Sequence, residues 1–284
     1  MLTEIQRKQR KLGIGGSDAA AIMGLSKWKT PLDVYLDKTT DSIEETTNSM
    51  HFGNKLEPII AEEYQRVTGK KLKTDNDMII HPEYEFLIAN VDGLIIGEKT
   101  GFEAKTASAF NAKEWGESGS DDIPTQYIIQ CAHYAMVADL EKIDVAVLLG
   151  GQDFRIYTIN RNEKLEQAIM KKEKDFWNDN VLPKIPPKPS TINDINKIYN
   201  SVTSGQSVIA EEKTIQMLDY LNKIKQKKKE LEEQEENCKI DIFSAMKDAE
   251  FLYNNEGELL ATWKIQHRKA FQVKESSSRV FRIK

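Results

Sequence analysis

Sulfur and imidazole are scarce in this chain of 284 residues, which has two cysteines and four histidines. Cys131 and Cys238 are too few and too far apart to frame a disulfide-stapled fold. Neither they nor the scattered histidines fall at zinc-ligand spacing. A reducing compartment fits this usage. Also missing is any apolar run near the roughly 18 residues of a membrane span. The opening MLTEIQRKQRK lacks the apolar core of a secretion signal, so a cytoplasmic protein is expected. Basic charge is not in excess: 40 Lys and Arg stand against 45 Asp and Glu, a net charge of −5. That excludes a surface coated with positive charge, though not a local basic groove.

What is present suits a globular protein with a sizeable core, at 39% apolar and 30% charged residues. The stretch IANVDGLIIGEKTGFEAKTAS, residues 88–108, reads as two short strands joined by a turn, with Asp92 inside the first and Glu103-Ala104-Lys105 in the second. Alternation along a strand puts Glu103 and Lys105 on one face and Ala104 on the other. If the strands pair across the turn at 97–101, Asp92 approaches Glu103, and two carboxylates beside an amine can hold a hard divalent cation. The same residues equally fit an exposed hairpin with a cross-strand ion pair.

A polar, basic helix over 3–11 leads to the turn GIGGSD, where Ser17 or Asp18 is expected as the N-cap of the next helix. The glycines, the Ser17 hydroxyl and upstream Arg10 and Lys11 could together receive a phosphate; an ordinary capped turn fits as well. Thr30-Pro31 starts a short helix, and residues 37–49 are polar. A longer helix ends at Gly69, with Leu56, Ile59, Ile60 and Tyr64 as its buried stripe and Phe52 one turn earlier. Glu57 borders that stripe, either solvated or aimed into a site beneath. Short strands follow, then a helix opened by Pro124 that carries Tyr127, Gln130, His133 and Tyr134. Two apolar strands and a helix over 162–180 complete an α/β (α+β mixed) core.

Proline density over 181–190 marks a boundary, dividing the chain into a core (1–182), a linker (183–206) and an extension (207–284). In the extension, Met217, Ile224, Leu231, Cys238 and Ala245 recur every seven residues, with Leu221, Lys228, Glu235 and Ile242 as companions. The polar middle of that seam predicts a helix packing one narrow stripe, not an autonomous coiled coil. A β-hairpin turning at 254–257 and a tail mixing Lys264, Arg268, Lys269, Lys274, Arg279, Arg282 and Lys284 with Trp263, Phe271 and Phe281 follow. The tail suits either a nucleic-acid contact or a solvated strand face.

Four segments in order, GIGGSDAAAIMGLSKWKTPLDVY, FGNKLEPIIAEEY, VDG followed by FEAKT, and PTQYIIQCAHYAMV, resemble the phage YqaJ-type recombinases, grouped with lambda exonuclease in the PD-(D/E)xK nuclease superfamily. The resemblance covers residues 10–160; the superfamily's usual proline before the first aspartate is absent. It implies a central mixed sheet flanked by helices, restriction-endonuclease-like, with Asp92, Glu103 and the Ala104 carbonyl as ligands of Mg²⁺, for which Mn²⁺ substitutes. Lys105 would position or help deprotonate the attacking water. Glu57 would stand near a second metal position, and Gln130 on the helix crossing the site, accompanied by Tyr127, His133 and Tyr134. Arg10, or Lys11 in its place, and Ser17 would receive a 5′-phosphate. The implied function is 5′-to-3′ resection of linear double-stranded DNA, by a ring-shaped homo-oligomer such as a trimer. Its 3′-tailed product would pass to a single-strand annealing protein in the host-cell cytoplasm. A restriction- or repair-type endonuclease with the same site, and a non-catalytic DNA-end-binding scaffold, are the competing readings.

Overall fold

A computed structural model of the chain describes residues 10–40, 47–75, 77–199, 201 and 205–267. Residues 3–9 of the helix expected over 3–11, and the tail residues Arg268, Lys269, Phe271, Lys274, Arg279, Phe281, Arg282 and Lys284, lie outside the described residues. By contact density the chain divides into Met1–Val202 and Thr203–Lys284. Among the described residues no helix is long and apolar enough to cross a membrane.

The first unit begins with α1 (Gly16–Ile22), α2 (Pro31–Thr39) and α3 (Asn48–Thr68). Thr30 caps α2, accepting the Asp33 N–H at 3.3 Å, with Pro31 in the first turn. Gly69 closes α3 at φ 72°, the left-handed region that glycine enters without cost. Four short strands follow: β1 (Leu72–Lys73), β2 (Ile79–Ile80), β3 (Ile88–Ala89) and β4 (Gly93–Ile95). Then come β5 (Thr100–Ala107), α4 (Thr125–Ala138), β6 (Lys142–Leu149), β7 (Asp153–Asn160) and α5 (Glu163–Phe176). The main sheet has order β1-β4-β5-β6-β7; β5 and β6 run parallel and the other pairs antiparallel. The parallel pair exists because α4 carries the chain back across the sheet between them. β2 and β3 form a separate antiparallel pair.

Helices cover both faces of this sheet, the mixed architecture expected. Val145 and Val147 of β6 face the larger core with α1, α4 and α5, while Ala146 faces the smaller one with Ile60, Ala61 and Tyr64 of α3. Period-two alternation fixes this, and β5 obeys it: Phe102 and Ala104 join the α3 side, so Glu103 and Lys105 point toward α1 and α4. The α3 stripe is narrower than expected. Leu56 packs with Ile60, Ala61 and Tyr64 against the sheet, but Phe52 is 61% exposed and Ile59 55%, because at 3.6 residues per turn both fall on the flank of α3, about 80–100° from Ile60.

Within residues 183–206 the structure contains α6 (Ile192–Ile198), capped by Thr191. Its buried Asp194 accepts the Thr30 hydroxyl at 2.8 Å, tying it to the start of α2. The second unit contains α7 (Glu212–Met246) and the antiparallel strands β8 (Phe251–Tyr253) and β9 (Leu259–Thr262). The α7 seam is not covered by the described residues around it: Met217 and Leu231 are each 55% exposed.

Candidate metal centre

The stretch carrying Asp92 is not one strand. β3 ends at Ala89 and pairs with β2; β4 starts at Gly93 and pairs with β5, its last rung being Gly93 opposite Phe102. Asp92 therefore sits in the break between two sheets. Where the ladder to β5 stops, its carboxylate takes the place of backbone and accepts the Ala104 N–H at 2.8 Å. In a strand the N–H and C=O of one residue leave by the same edge, so the Ala104 carbonyl faces the same gap as Asp92.

Glu103 is buried and is held from two sides: Lys105 ion-pairs with Oε1, and Gln130 Nε2 of α4 donates to the same oxygen at 2.8 Å. Gln130 also reaches the Tyr134 hydroxyl at 2.8 Å. The other oxygen, Glu103 Oε2, is buried with no hydrogen-bond partner, as are Glu166 Oε1 and Glu173 Oε2; what sets Glu103 apart is the Asp92 carboxylate beside it. Asp144 on the adjacent strand shows what satisfaction looks like at equal burial. It accepts the Tyr64 hydroxyl at 2.5 Å, the Thr158 hydroxyl at 2.8 Å and Lys70 at 3.1 Å. An orphaned carboxylate oxygen beside a second carboxylate is costly unless a cation meets it.

The ionisation of the cluster follows from this crowding. Burial, and then the Asp92 carboxylate, push Glu103 up to about 8. Burial raises Asp92 against the opposing pull of Lys105 and the Ala104 N–H. Burial works against a charged Lys105, yet Glu103 and Asp92 together raise its proton affinity, so the ammonium is kept. Its charge also lies 5.0 Å from the centre of the Tyr127 ring, a cation–π contact. Glu57 on α3 is half-buried and raised, by desolvation and then by Asp92. Among the described residues no group of three or more His, Cys, Asp and Glu could hold a metal ion. A cation here would draw on two carboxylates and on backbone and solvent oxygens, as Mg²⁺ does.

The turn before α1 is built differently from expectation. Gly15 is the N-cap, and Ser17 and Asp18 lie inside the first turn. Asp18 turns inward, accepting the Gly15 N–H at 3.2 Å and pairing with buried Lys38 at 2.8 Å. Ser17 is left outward, where its hydroxyl accepts from Arg10 Nη2 at 2.9 Å. Lys11 instead donates to the Thr40 carbonyl at 3.0 Å, which separates it from Arg10 as the partner of Ser17. Arg10 also lowers the proton affinity of Asp92, so its field reaches the carboxylates. A Cβ on Gly16 would lie 2.5 Å from Tyr134 Cε1. The turn thus presses on Tyr134, which holds Gln130, which holds Glu103.

His133 is the expected site residue that the structure keeps away. It is 0% exposed, with Nε2 donating to the Ile88 carbonyl at 2.9 Å and Nδ1 on Glu173 at 2.7 Å. Three positions on from Gln130, it points into the core between α4 and α5. Glu173 completes that pair, and an acidic residue in an amphipathic helix gave no signal of burial. Asp18 and Lys38 were equally unmarked as a buried pair.

Residues 7–141 match the model of the YqaJ-like viral recombinase domain. Over 264 residues the chain is 38% identical to the uncharacterized protein YqaJ of Bacillus subtilis strain 168, spanning 90% of this chain and 81% of that protein. Among solved structures, the alkaline exonuclease LHK-Exo of Laribacter hongkongensis superposes with a TM-score of 0.53 at 18% identity. That superposition covers 64% of this chain and 94% of that one. LHK-Exo in complex with dAMP gives 0.53 at 18% identity over 70% and 98%. At that identity the likeness is one of fold.

Proposed function

The chain belongs to the YqaJ-like viral recombinase family, and from that premise we propose that it is a metal-dependent deoxyribonuclease resecting linear double-stranded DNA from 5′ ends. The observation that carries the reading is Glu103: buried, orphaned at Oε2, and set beside Asp92 at a break in the sheet. The fold shared with an alkaline exonuclease supports the same class of reaction.

Asp92, Glu103 and the Ala104 carbonyl would hold Mg²⁺, with Mn²⁺ able to replace it. When bound, the ion neutralises charge building on the phosphate and makes water a better nucleophile. The chain's own residues do the rest. Lys105, whose ammonium Glu103 and Asp92 favour, would orient the attacking water and offset negative charge. Glu57, with a raised proton affinity and the Asp92 charge nearby, is suited to accept a proton from water at the outer edge of the site. Gln130 fixes the Glu103 rotamer through Oε1 and leaves Oε2 free. Arg10 and Ser17 form a two-donor fork for a terminal 5′-phosphate, which would set polarity by seating the end of one strand. Resection then leaves 3′ single strands for an annealing protein, and a ring-shaped homo-oligomer would keep the duplex threaded.

A time course on linear duplex labelled at the 3′ end, carrying either 5′-phosphate or 5′-hydroxyl, tests this reading. The expected result is loss of nucleotides from 5′ ends with Mg²⁺, faster from 5′-phosphate, and intact supercoiled circles. Nicking or linearisation of the circles would favour an endonuclease; binding of ends without cleavage would favour a scaffold.

A further inference from the structure

The α7 helix is about 50 Å long by its 35 residues, and its apolar seam is open: Met217, Ile224, Leu231 and Ile242 are each more than two-fifths exposed. Its charges are sorted. Lys223, Lys225, Lys227, Lys228 and Lys229 fill the stretch before the midpoint, and Glu230, Glu232, Glu233, Glu235 and Glu236 the stretch after it. The switch from basic to acidic falls between Lys229 and Glu230, at the middle of Glu212–Met246.

A lone helix gains little from that order. The Lys228–Glu232 and Lys229–Glu233 pairs, at 3.5 and 3.8 Å, place lysine before glutamate, the weaker sense for an i,i+4 pair. All four side chains are largely exposed, so these pairs contribute little and can be exchanged for others.

We propose that α7 pairs with α7 of a second copy of this chain in antiparallel fashion, about a two-fold axis between Lys229 and Glu230. That axis sets the basic block of each helix against the acidic block of the other. It also brings the seam into register: Met217 faces Ile242, Leu221 faces Cys238, Ile224 faces Glu235, and Lys228 faces Leu231, each time one seam position against its companion, as antiparallel packing requires. The two polar seam residues then answer each other, since Lys228 lies one layer from Glu235 of the second copy. A parallel pair would instead set Lys228 on Lys228 and Glu235 on Glu235, and lysine block on lysine block. The proposal is independent of the nuclease reading, because it uses no residue of the Asp92–Glu103 site.

Cys238, exposed in this chain while Cys131 is buried, allows a direct test. In the antiparallel pair the two Cys238 sulfurs stand about 25 Å apart along the axis, far beyond the reach of about 7 Å between Cα atoms that a disulfide needs. Full-length wild type treated with copper–phenanthroline should therefore stay uncrosslinked, whereas Leu221→Cys should become a covalent dimer through Cys238 of the second copy. Gln226→Cys, on the outward side of the helix, should not. The double variant Met217→Cys/Ile242→Cys tests the same register from the helix ends if Leu221→Cys folds poorly by circular dichroism. A dimer through Cys238 in wild type, equal crosslinking by Gln226→Cys, or none by either seam variant would overturn the proposal.

Discussion

Divalent-metal binding without DNA should be coupled to one proton on Glu103. Burial and Asp92 hold that carboxyl at about 8. Near pH 7 only about a tenth of molecules then present the carboxylate, and near pH 6 about a hundredth. Affinity for Mg²⁺ or Mn²⁺ should rise about tenfold, or about 1.4 kcal/mol, between roughly pH 6 and pH 7, and level off above about pH 9. The metal-free protein should show the opposite sign. A carboxyl whose folded pKa lies above its unfolded value stabilises the fold below about 4.3, and that contribution is lost as pH rises through about 8. Metal at about one hundred times its dissociation constant should then restore about 2.7 kcal/mol. The assay is thermal unfolding with metal titrations at several values between about pH 6 and pH 9. Glu103→Gln, which can neither ionise nor serve as an anionic ligand, should lose the metal response throughout. An affinity that does not change across that range would refute the assignment of the coupled proton and the ligand to Glu103.

Three substitutions probe the surroundings. Ser17→Ala removes an exposed hydroxyl, so the fold should survive while the rate on 5′-phosphate ends falls about tenfold; rates on 5′-hydroxyl ends, compared in end-labelled duplex, should stay level. Gly16→Ala drives a methyl against Tyr134 and should cost about 1–3 kcal/mol in urea unfolding. His133→Ala strands the Ile88 carbonyl and Glu173 in the core and should cost about 3–5 kcal/mol. DNA affinity of the folded fraction, measured by fluorescence anisotropy, should not move.

That Glu103 and Lys105 share a face was legible because strand alternation, a local rule, decides it, and the structure follows that rule through β5. The break at Asp92 was not legible. A two-residue strand and its continuation look alike in sequence, and only the pairing of β3 with β2 and of β4 with β5 reveals that the aspartate replaces backbone at the end of a ladder. His133 was misplaced for a related reason: helical spacing puts it near Gln130, but whether that side meets solvent or α5 depends on a later segment. The inward turn of Asp18 depends likewise on Lys38, which arrives from another helix. Ile59 and Phe52 lie on the flank of the α3 stripe, about 80–100° from Ile60, and stay exposed while Leu56, Ile60 and Tyr64 meet the sheet. The polar seam of α7 reads as a weakness in one chain; its sorted charges acquire a purpose only against a second copy.

The central claim is that Asp92, Glu103 and Lys105 form a metal-dependent phosphodiester-cleaving site. Its most direct test compares wild type with Asp92→Ala, Glu103→Ala and Lys105→Ala on linear duplex DNA in Mg²⁺, with a chelator control and circular dichroism of each variant. Each variant should stay folded and lose on the order of a thousandfold in rate or more, equivalent to about 4 kcal/mol of transition-state stabilisation, and chelation should silence wild type. Undiminished cleavage by folded Lys105→Ala, or by wild type in chelator, would contradict the account.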